Sequence, residues 1–363
     1  MPKQLTVAFV LVSYGKNEPA GMERSVASLC IGLEALGHKS LVIAAGPERE
    51  DDSTGIRRLE TLHLSFPATD LQLVDKLEAA SRLNQEIEEI CQAESIDVLV
   101  SVDCLWGLGA YINRINEISL VQMIHVLGDQ KLLLSSLSKN PDLVLAPSRF
   151  VLEEASARNL PTVAWRVLEN SLMAAPVPVP SKEKAEIFSV GSVRSVCRLG
   201  SEKGPLEAIA SYSLDRGYDI VLAKAGFEPT VGSQDELYRA CLSQAHKRVN
   251  VLPRLEWSEV TQFLKHACIT VVPSKAETFG LVALESLSVG TPVVAFDTGN
   301  LKNLIRDAGI CVPIKDGFEG IWSRAQELLS DKDEYLGMVN KAFEVSASYA
   351  PRNVAKKFLA MIV

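Results

Sequence analysis

The chain has 363 residues, 47% hydrophobic and 23% charged, with a net charge of −8; it holds more apolar material than one core uses, since single cores stop growing near ~250–300 residues. No apolar run approaches the ~20 residues of a membrane span, and excess negative charge argues against nucleic acid and anionic membrane as partners. All of that excess lies in the first half: residues 1–172 hold 15 Lys+Arg against 23 Asp+Glu, and residues 173–363 hold 22 of each.

From the N-terminus, "TVAFVLV" (6–12) reads as a first strand; without a basic flank or a small-residue cleavage site it is not expected to be a signal peptide. The following "GMERSVASLCIGLEALG" is amphipathic and helical, and "SLVIAA" and "TLHLSF" are the next strand candidates. A long helical stretch, "LQLVDKLEAASRLNQEIEEICQAE", then precedes "DVLVSV", "LVQMIHV", "LVLAPS" and "VAWRVL". Continuous apolar strands separated by helices predict a parallel sheet covered on both faces.

The segment "MAAPVPVPSKEKAE" (173–186) carries three prolines and reads as an interdomain linker, neither helix nor central strand. After it the alternation resumes: strands "IFSVGSV", "DIVLAKA", "VNVLPRL", "CITVVPS", "PVVAFD" and "GICVPI" alternate with helices "GPLEAIASYSL", "QDELYRACLSQA" and "WSEVTQFLKHA". The C-terminal stretch is helical with a break near Pro351, and its last piece is expected to cross back onto the first domain. The fold class is therefore α/β, with two Rossmann-like domains, 1–172 and 173–350, facing a central cleft, and helix 351–363 returning to the first. Ligands of open α/β sheets bind beyond the carboxyl ends of the strands, which makes that cleft the expected site.

Seven cysteines (30, 91, 104, 197, 241, 268 and 311) show no CxxC or Cys/His cluster; they read as reduced, mostly buried thiols of a cytoplasmic protein. The only D-x-D spacing, Asp331-Lys332-Asp333, falls in a polar helical region and reads as solvated charge, so no metal ligand is assigned.

The stretch "ETFGLVALESLSVGTPVVAFD" (277–297) sets Glu277 and Glu285 on either side of a glycine turn between two apolar strands. A helix starting near Gly280 would leave unpaired amides at a positive end, suited to a diphosphate. Glu285 falls about one and a half turns in, where a carboxylate accepts from vicinal hydroxyls. The bland alternative is that Glu277 caps the helix and Glu285 is a solvated helix residue.

This stretch resembles the E-x7-E signature of family 4 retaining glycosyltransferases of the GT-B fold, and the likeness extends over nearly the whole chain. The resemblance implies that Glu277 contacts the transferred sugar and Glu285 the ribose, with Thr278, Phe279, Gly280 and Leu281 at the sugar and phosphates. "VCRLGSEKGPLEAI" is similar to the family's Arg/Lys segment, which gives Arg198 and Lys203 the diphosphate; fixed cations there would stabilise the leaving group's growing charge. His125, in "SLVQMIHVLGD", corresponds to the family's histidine near the donor sugar. Its neighbour Asp129 serves equally as a helix cap, and His38 reads as structural. Gly21 corresponds to the second glycine of an N-terminal Gly-Gly loop whose first position is Ala20 here. Ser171 and Arg254 also stand where the family has glycine, and backbone near Leu255 is expected at the nucleobase.

The resemblance implies a metal-independent, retaining transfer, by front-face attack, of a hexose or aminohexose from a nucleoside-diphosphate sugar (UDP favoured) to a hydroxyl acceptor. No cofactor beyond the donor is expected. The acidic first half favours a soluble acceptor, perhaps an aminocyclitol or another natural-product scaffold. Alternatives are a lipid-linked or polysaccharide acceptor, a nucleotide-sugar 2-epimerase, and a non-catalytic nucleotide-sugar-binding subunit. No nucleic-acid partner or integral membrane segment is expected; peripheral membrane association, the oligomeric state and the acceptor-binding residues are left open.

Overall fold

The computed structural model describes residues 3–15, 21–46, 52 and 55–362. Ala20 lies outside them. The described chain forms two units, Met1–Met173 with Gly226–Val231 and Pro351–Val363, and Ala174–Ala225 with Gly232–Ala350.

The first unit is built on seven strands: β1 (Thr6–Val10), β2 (Lys39–Ala44), β3 (Ile56–Arg58), β4 (Val98–Val102), β5 (Ser119–Met123), β6 (Leu143–Ala146) and β7 (Trp165–Val167). Every pairing is parallel, in the order β3-β2-β1-β4-β5-β6-β7. Residues of β1, β4 and β5 are almost all buried, as a sheet covered on both faces requires. The Pro351–Ile362 helix packs on the Gly21–Glu34 helix so closely that a Cβ at Gly32 would meet the Pro351 carbonyl oxygen at 2.3 Å. Residues 226–231 complete this unit: Ala68 N–H donates to the Gly226 carbonyl (3.0 Å), Glu228 N–H to that of Ala68 (2.9 Å), and Phe227 packs on Trp106.

The second unit holds β8 (Val193–Arg198), β9 (Tyr218–Ala223), β10 (Val249–Leu252), β11 (Thr270–Val272), β12 (Val293–Phe296) and β13 (Gly309–Val312). They are all parallel, in the order β10-β9-β8-β11-β12-β13. Its core centres on Trp322, Tyr212 and Tyr218, whose rings meet within 4.9–5.2 Å. In both sheets the order reverses once, between β1 and β4 and between β8 and β11, and ligands of such sheets gather beside that reversal.

Four readings need correction. Residues 61–66 are not a strand: Leu62 and Leu64 are buried alternately, yet the third strand is Ile56–Arg58, which pairs with β2. The alternation there records burial, not a ladder. Residues 187–190 close a helix, Ser181–Val190, and the strand starts only at Val193. That helix also takes the second part of the expected linker. Pro180 stands at its N-cap, where a fixed φ is tolerated. Lys184, fully buried, donates to the Lys265 carbonyl (2.8 Å) and Thr291 Oγ1 (2.6 Å), and Glu183 pairs with Lys265 (2.9 Å). Tertiary anchoring thus outweighs the polar, proline-flanked look of the segment. The 71–94 stretch is two helices, Asp70–Ala79 and Leu83–Ala93.

Among the described residues, no helix is long and apolar enough to cross a membrane. All seven cysteines are free thiols.

Candidate functional site

The loops that follow β8, β11 and β12 emerge from adjacent strands at the sheet's reversal in the second unit. After β8 the chain makes a short turn, Ser201–Lys203, and Gly204 at φ 64° leads into the Pro205–Ala210 helix. A Cβ at Gly204 would lie 2.4 Å from the Pro273 carbonyl oxygen, so this glycine lets the two loops touch. Lys275 N–H donates to the Glu202 carbonyl (2.8 Å) and fixes their register.

On that frame Lys203 Nζ donates to Glu277 Oε2 at 2.8 Å and to the Ala276 carbonyl at 3.4 Å. Both side chains of the ion pair are only about one-fifth exposed. Glu277 Oε1 accepts from Thr278 N–H (3.2 Å). Arg198 at the end of β8 pairs with Glu202, and Lys275 with Glu207 (2.7 Å). Three cations and three carboxylates thus share a small surface.

The helix at this edge runs Leu281–Ser288 with Gly280 at its N-cap, φ 104°. No side chain caps it, so Glu277 is not its cap, and its first amides are left for other acceptors. A Cβ at Gly280 would strike Leu301 at 2.6 Å. Phe279 and Gly280 are buried, and Thr278 and Leu281 half-buried. Glu285 is not a solvated helix residue: it is 4% exposed, on a helix buried from Ala283 to Ser288. Leu255 follows β10, two strands away from β8, and is half-buried, with Arg254 exposed beside it.

In the first unit, Gly21 is the exposed first residue of its helix. Ser171 Oγ donates to Ser28 Oγ (2.7 Å), and Ser25 Oγ to Asn170 Oδ1 (2.8 Å), so the 170–171 turn is tied to that helix. His125 follows β5 and is 5% exposed; its Nε2 has no hydrogen-bond partner among the described residues. Burial pushes its pKa down to about 4, so the imidazole is neutral at physiological pH. Asp129 caps the Gln130–Leu137 helix through Leu132 N–H, and Asp331 caps Lys332–Ser346 through Asp333 and Glu334 N–H. His38 Nδ1 accepts from Leu5 N–H (3.1 Å).

Sequence reasoning missed Asp103. It sits just past β4 at φ 94°, a conformation that costs a non-glycine residue of order 1–3 kcal/mol and persists only where surroundings enforce it. Its amide donates to the Met123 carbonyl (2.7 Å) and its carboxylate accepts from Leu105 N–H (3.2 Å). Burial, helped by nearby Asp70, pushes its pKa up to about 6. A backbone dihedral leaves no mark in a single sequence.

These two groups oppose each other in acid. An unfolded histidine titrates near ~6.5, so His125 supports the native state fully above that pH and loses that support as pH falls towards about 4. Asp103, with its folded pKa raised, does the reverse: its contribution falls as pH rises from the ordinary carboxylate range to about 6. His125→Gln is expected to lose less stability than the parent protein between pH 7 and pH 5, by on the order of 2 kcal/mol. Urea midpoints at the two pH values check this; parallel losses would mean that His125 is protonated in the native state.

Two family descriptions match in tandem: Glycosyltransferase Family 4 over residues 19–171 and Glycosyl transferases group 1 over residues 182–345. The chain is 37% identical over 174 residues to D-inositol 3-phosphate glycosyltransferase of Corynebacterium diphtheriae, covering 45% of this chain and 40% of that protein. It is 32% identical over 114 residues to the protein of that name from Nocardia farcinica, covering 31% and 25%. These alignments thus span a quarter to two-fifths of the relatives' length. Among solved structures, sucrose-phosphate synthase from Thermosynechococcus elongatus superposes with TM-score 0.77 at 18% identity, over 99% of this chain and 98% of that one. Anabaena HepE, solved with UDP and glucose, does so with TM-score 0.74 at 15% identity over 99% of each chain.

Proposed function

The chain belongs to glycosyltransferase family 4, and we propose that it moves a hexose or aminohexose from a nucleoside-diphosphate sugar to an acceptor hydroxyl with retention of configuration. The observation that carries this reading is the Lys203–Glu277 pair, 2.8 Å apart beside an uncapped helix end and Arg198. A nucleotide sugar asks for that combination: cations and amides for the diphosphate, a carboxylate for sugar hydroxyls.

As the glycosidic bond breaks, negative charge grows on the leaving diphosphate. Lys203, Arg198 and the amides at Gly280–Leu281 stabilise it, and because they are fixed in advance the stabilisation costs little reorganisation. These groups supply the positive charge that a divalent ion would otherwise bring, so the reaction is proposed to be metal-independent. Glu277, already engaged by Lys203, positions the sugar and does not attack it, which separates this chemistry from the double displacement of retaining glycosidases. Glu285 is assigned to the ribose hydroxyls and Leu255 to the base. His125 enters as a neutral hydrogen-bonding group.

UDP is the favoured nucleotide, supported by the HepE structure with UDP and glucose. The second unit is assigned to the donor and the first to the acceptor, while Gly21 keeps its assignment to the donor. For the acceptor, the relatives' name supports a cyclitol ring. The eight-charge negative excess of residues 1–172 favours a neutral or amine-bearing ring over a phosphorylated one. A cytoplasmic setting is proposed on the seven free thiols.

A thermal-shift series with UDP, GDP and ADP tests the reading, because a ligand of the native state raises the melting temperature. UDP at about 100 times its Kd is worth ~2.7 kcal/mol, about 3–4 °C for a chain of this size. EDTA should leave the shift and the turnover unchanged. A shift with none of the three nucleotides, or one abolished by EDTA, contradicts the proposal.

A further inference from the structure

Glu277 stands on a stretch, residues 273–280, without helix or strand, so something other than its own backbone ladder must fix the carboxylate. Lys203 holds the side chain. The main chain is held from the other side by the turn after β12, Thr298-Gly299-Asn300. Thr298 Oγ1 donates to the Lys275 carbonyl (3.1 Å) and Asn300 Nδ2 to the Phe279 carbonyl (3.3 Å). These two acceptors lie two residues on either side of Glu277. Between the donors, Gly299 at φ 54° presses on Glu277 itself: a Cβ there would lie 1.5 Å from the Glu277 carbonyl oxygen and 2.7 Å from its carbonyl carbon.

The turn is anchored independently of the loop it grips. Asp297 N–H donates to the Val312 carbonyl (2.7 Å), Thr298 N–H to that of Phe296 (2.9 Å), and Leu301 N–H to that of Thr298 (3.1 Å). It is therefore part of the β12–β13 frame, and Asn300 is buried there.

We propose that Thr298 and Gly299 form a positioning clamp that sets the reach of the Glu277 carboxylate and so governs the transfer step while touching no group assigned to the diphosphate; Asn300 holds the neighbouring Phe279–Gly280 peptide. The inference rests on the transferase reading above. Any side chain at 299 forces the Glu277 backbone or the turn to move by roughly the 1.5 Å needed to restore contact distance, and a misplacement of about 1 Å costs about 100-fold in turnover. Arg198 and the Lys203 backbone belong to other segments, and the Leu281 amide to the helix that follows, so these groups keep their places.

The test uses UDP-glucose with myo-inositol as acceptor, following UDP release, alongside calorimetric titration with UDP. Gly299→Ala should lower kcat about 100-fold with the UDP Kd within about threefold of the parent. Should Gly299→Ala fail to fold, Thr298 provides the same test: Thr298→Val, which keeps the shape and loses the hydroxyl, should lower kcat about tenfold, and Thr298→Ser should restore it. A turn that served stability alone would lower the melting temperature of both and leave kcat of the folded fraction unchanged. Parental kcat in folded Gly299→Ala, or in Thr298→Val, overturns the clamp and leaves the transferase reading intact. A parent protein that neither binds UDP nor releases it from UDP-glucose overturns that reading, and the clamp with it.

Discussion

Glu277→Ala is expected to lower turnover by about 100-fold or more while UDP affinity stays within a few-fold. A carboxylate that accepts from sugar hydroxyls makes charge-assisted bonds worth ~1.5–3 kcal/mol each, and two of them account for the loss. The nucleotide should barely notice. In the free protein Glu277 occupies Lys203 at 2.8 Å, so its removal releases that cation towards the diphosphate. The pair is only about one-fifth exposed, which keeps its electrostatics from being screened away. Initial rates and calorimetry on one preparation separate the two quantities. Equal losses in turnover and affinity would return Glu277 to a diphosphate-binding or purely structural role.

Lys203→Ala should act on the other half of the site and weaken UDP binding by ~1.5–3 kcal/mol, about 10- to 150-fold. Its ammonium is held by the turn between β8 and the Pro205–Ala210 helix, and that turn is seated on the β11 loop by the close approach at Gly204. The charge is thus presented on a rigid support. Lys203→Arg is not expected to restore full affinity, because the planar fork is longer than the single ammonium and would displace Glu277. Unchanged UDP affinity in Lys203→Ala would remove this residue from the site.

Much of the architecture was legible because buried parallel strands are continuous apolar runs. β4, "VLVSV", and β12, "VVAF", need no alternation to be recognised. The same property explains the errors. Leu62 and Leu64 alternate because they are buried under an irregular segment, and "IFSV" is apolar because it closes a helix; a short run does not carry its own secondary structure. The return of residues 226–231 to the first unit depends on bridges to Ala68 and on Phe227 meeting Trp106, contacts with no local pattern.

At the candidate site, spacing singled out Glu277 and Glu285, and the family resemblance added Arg198 and Lys203. Asp103 and Gly299 were invisible for different reasons. The first is marked by a backbone angle and by burial around its carboxyl, the second by the crowding of a carbonyl 22 positions earlier in the chain. Both are products of the fold rather than of residue type.

The central claim is that the loops after β8 and β11 receive the diphosphate of a nucleotide sugar. A crystal structure with UDP-glucose tests it most directly. The diphosphate oxygens are expected within hydrogen-bond distance of Lys203 Nζ, the Arg198 guanidinium and amides at Gly280–Leu281, with Glu277 on sugar hydroxyls. A nucleotide bound elsewhere, with Lys203 and Glu277 still closed on each other, would contradict it.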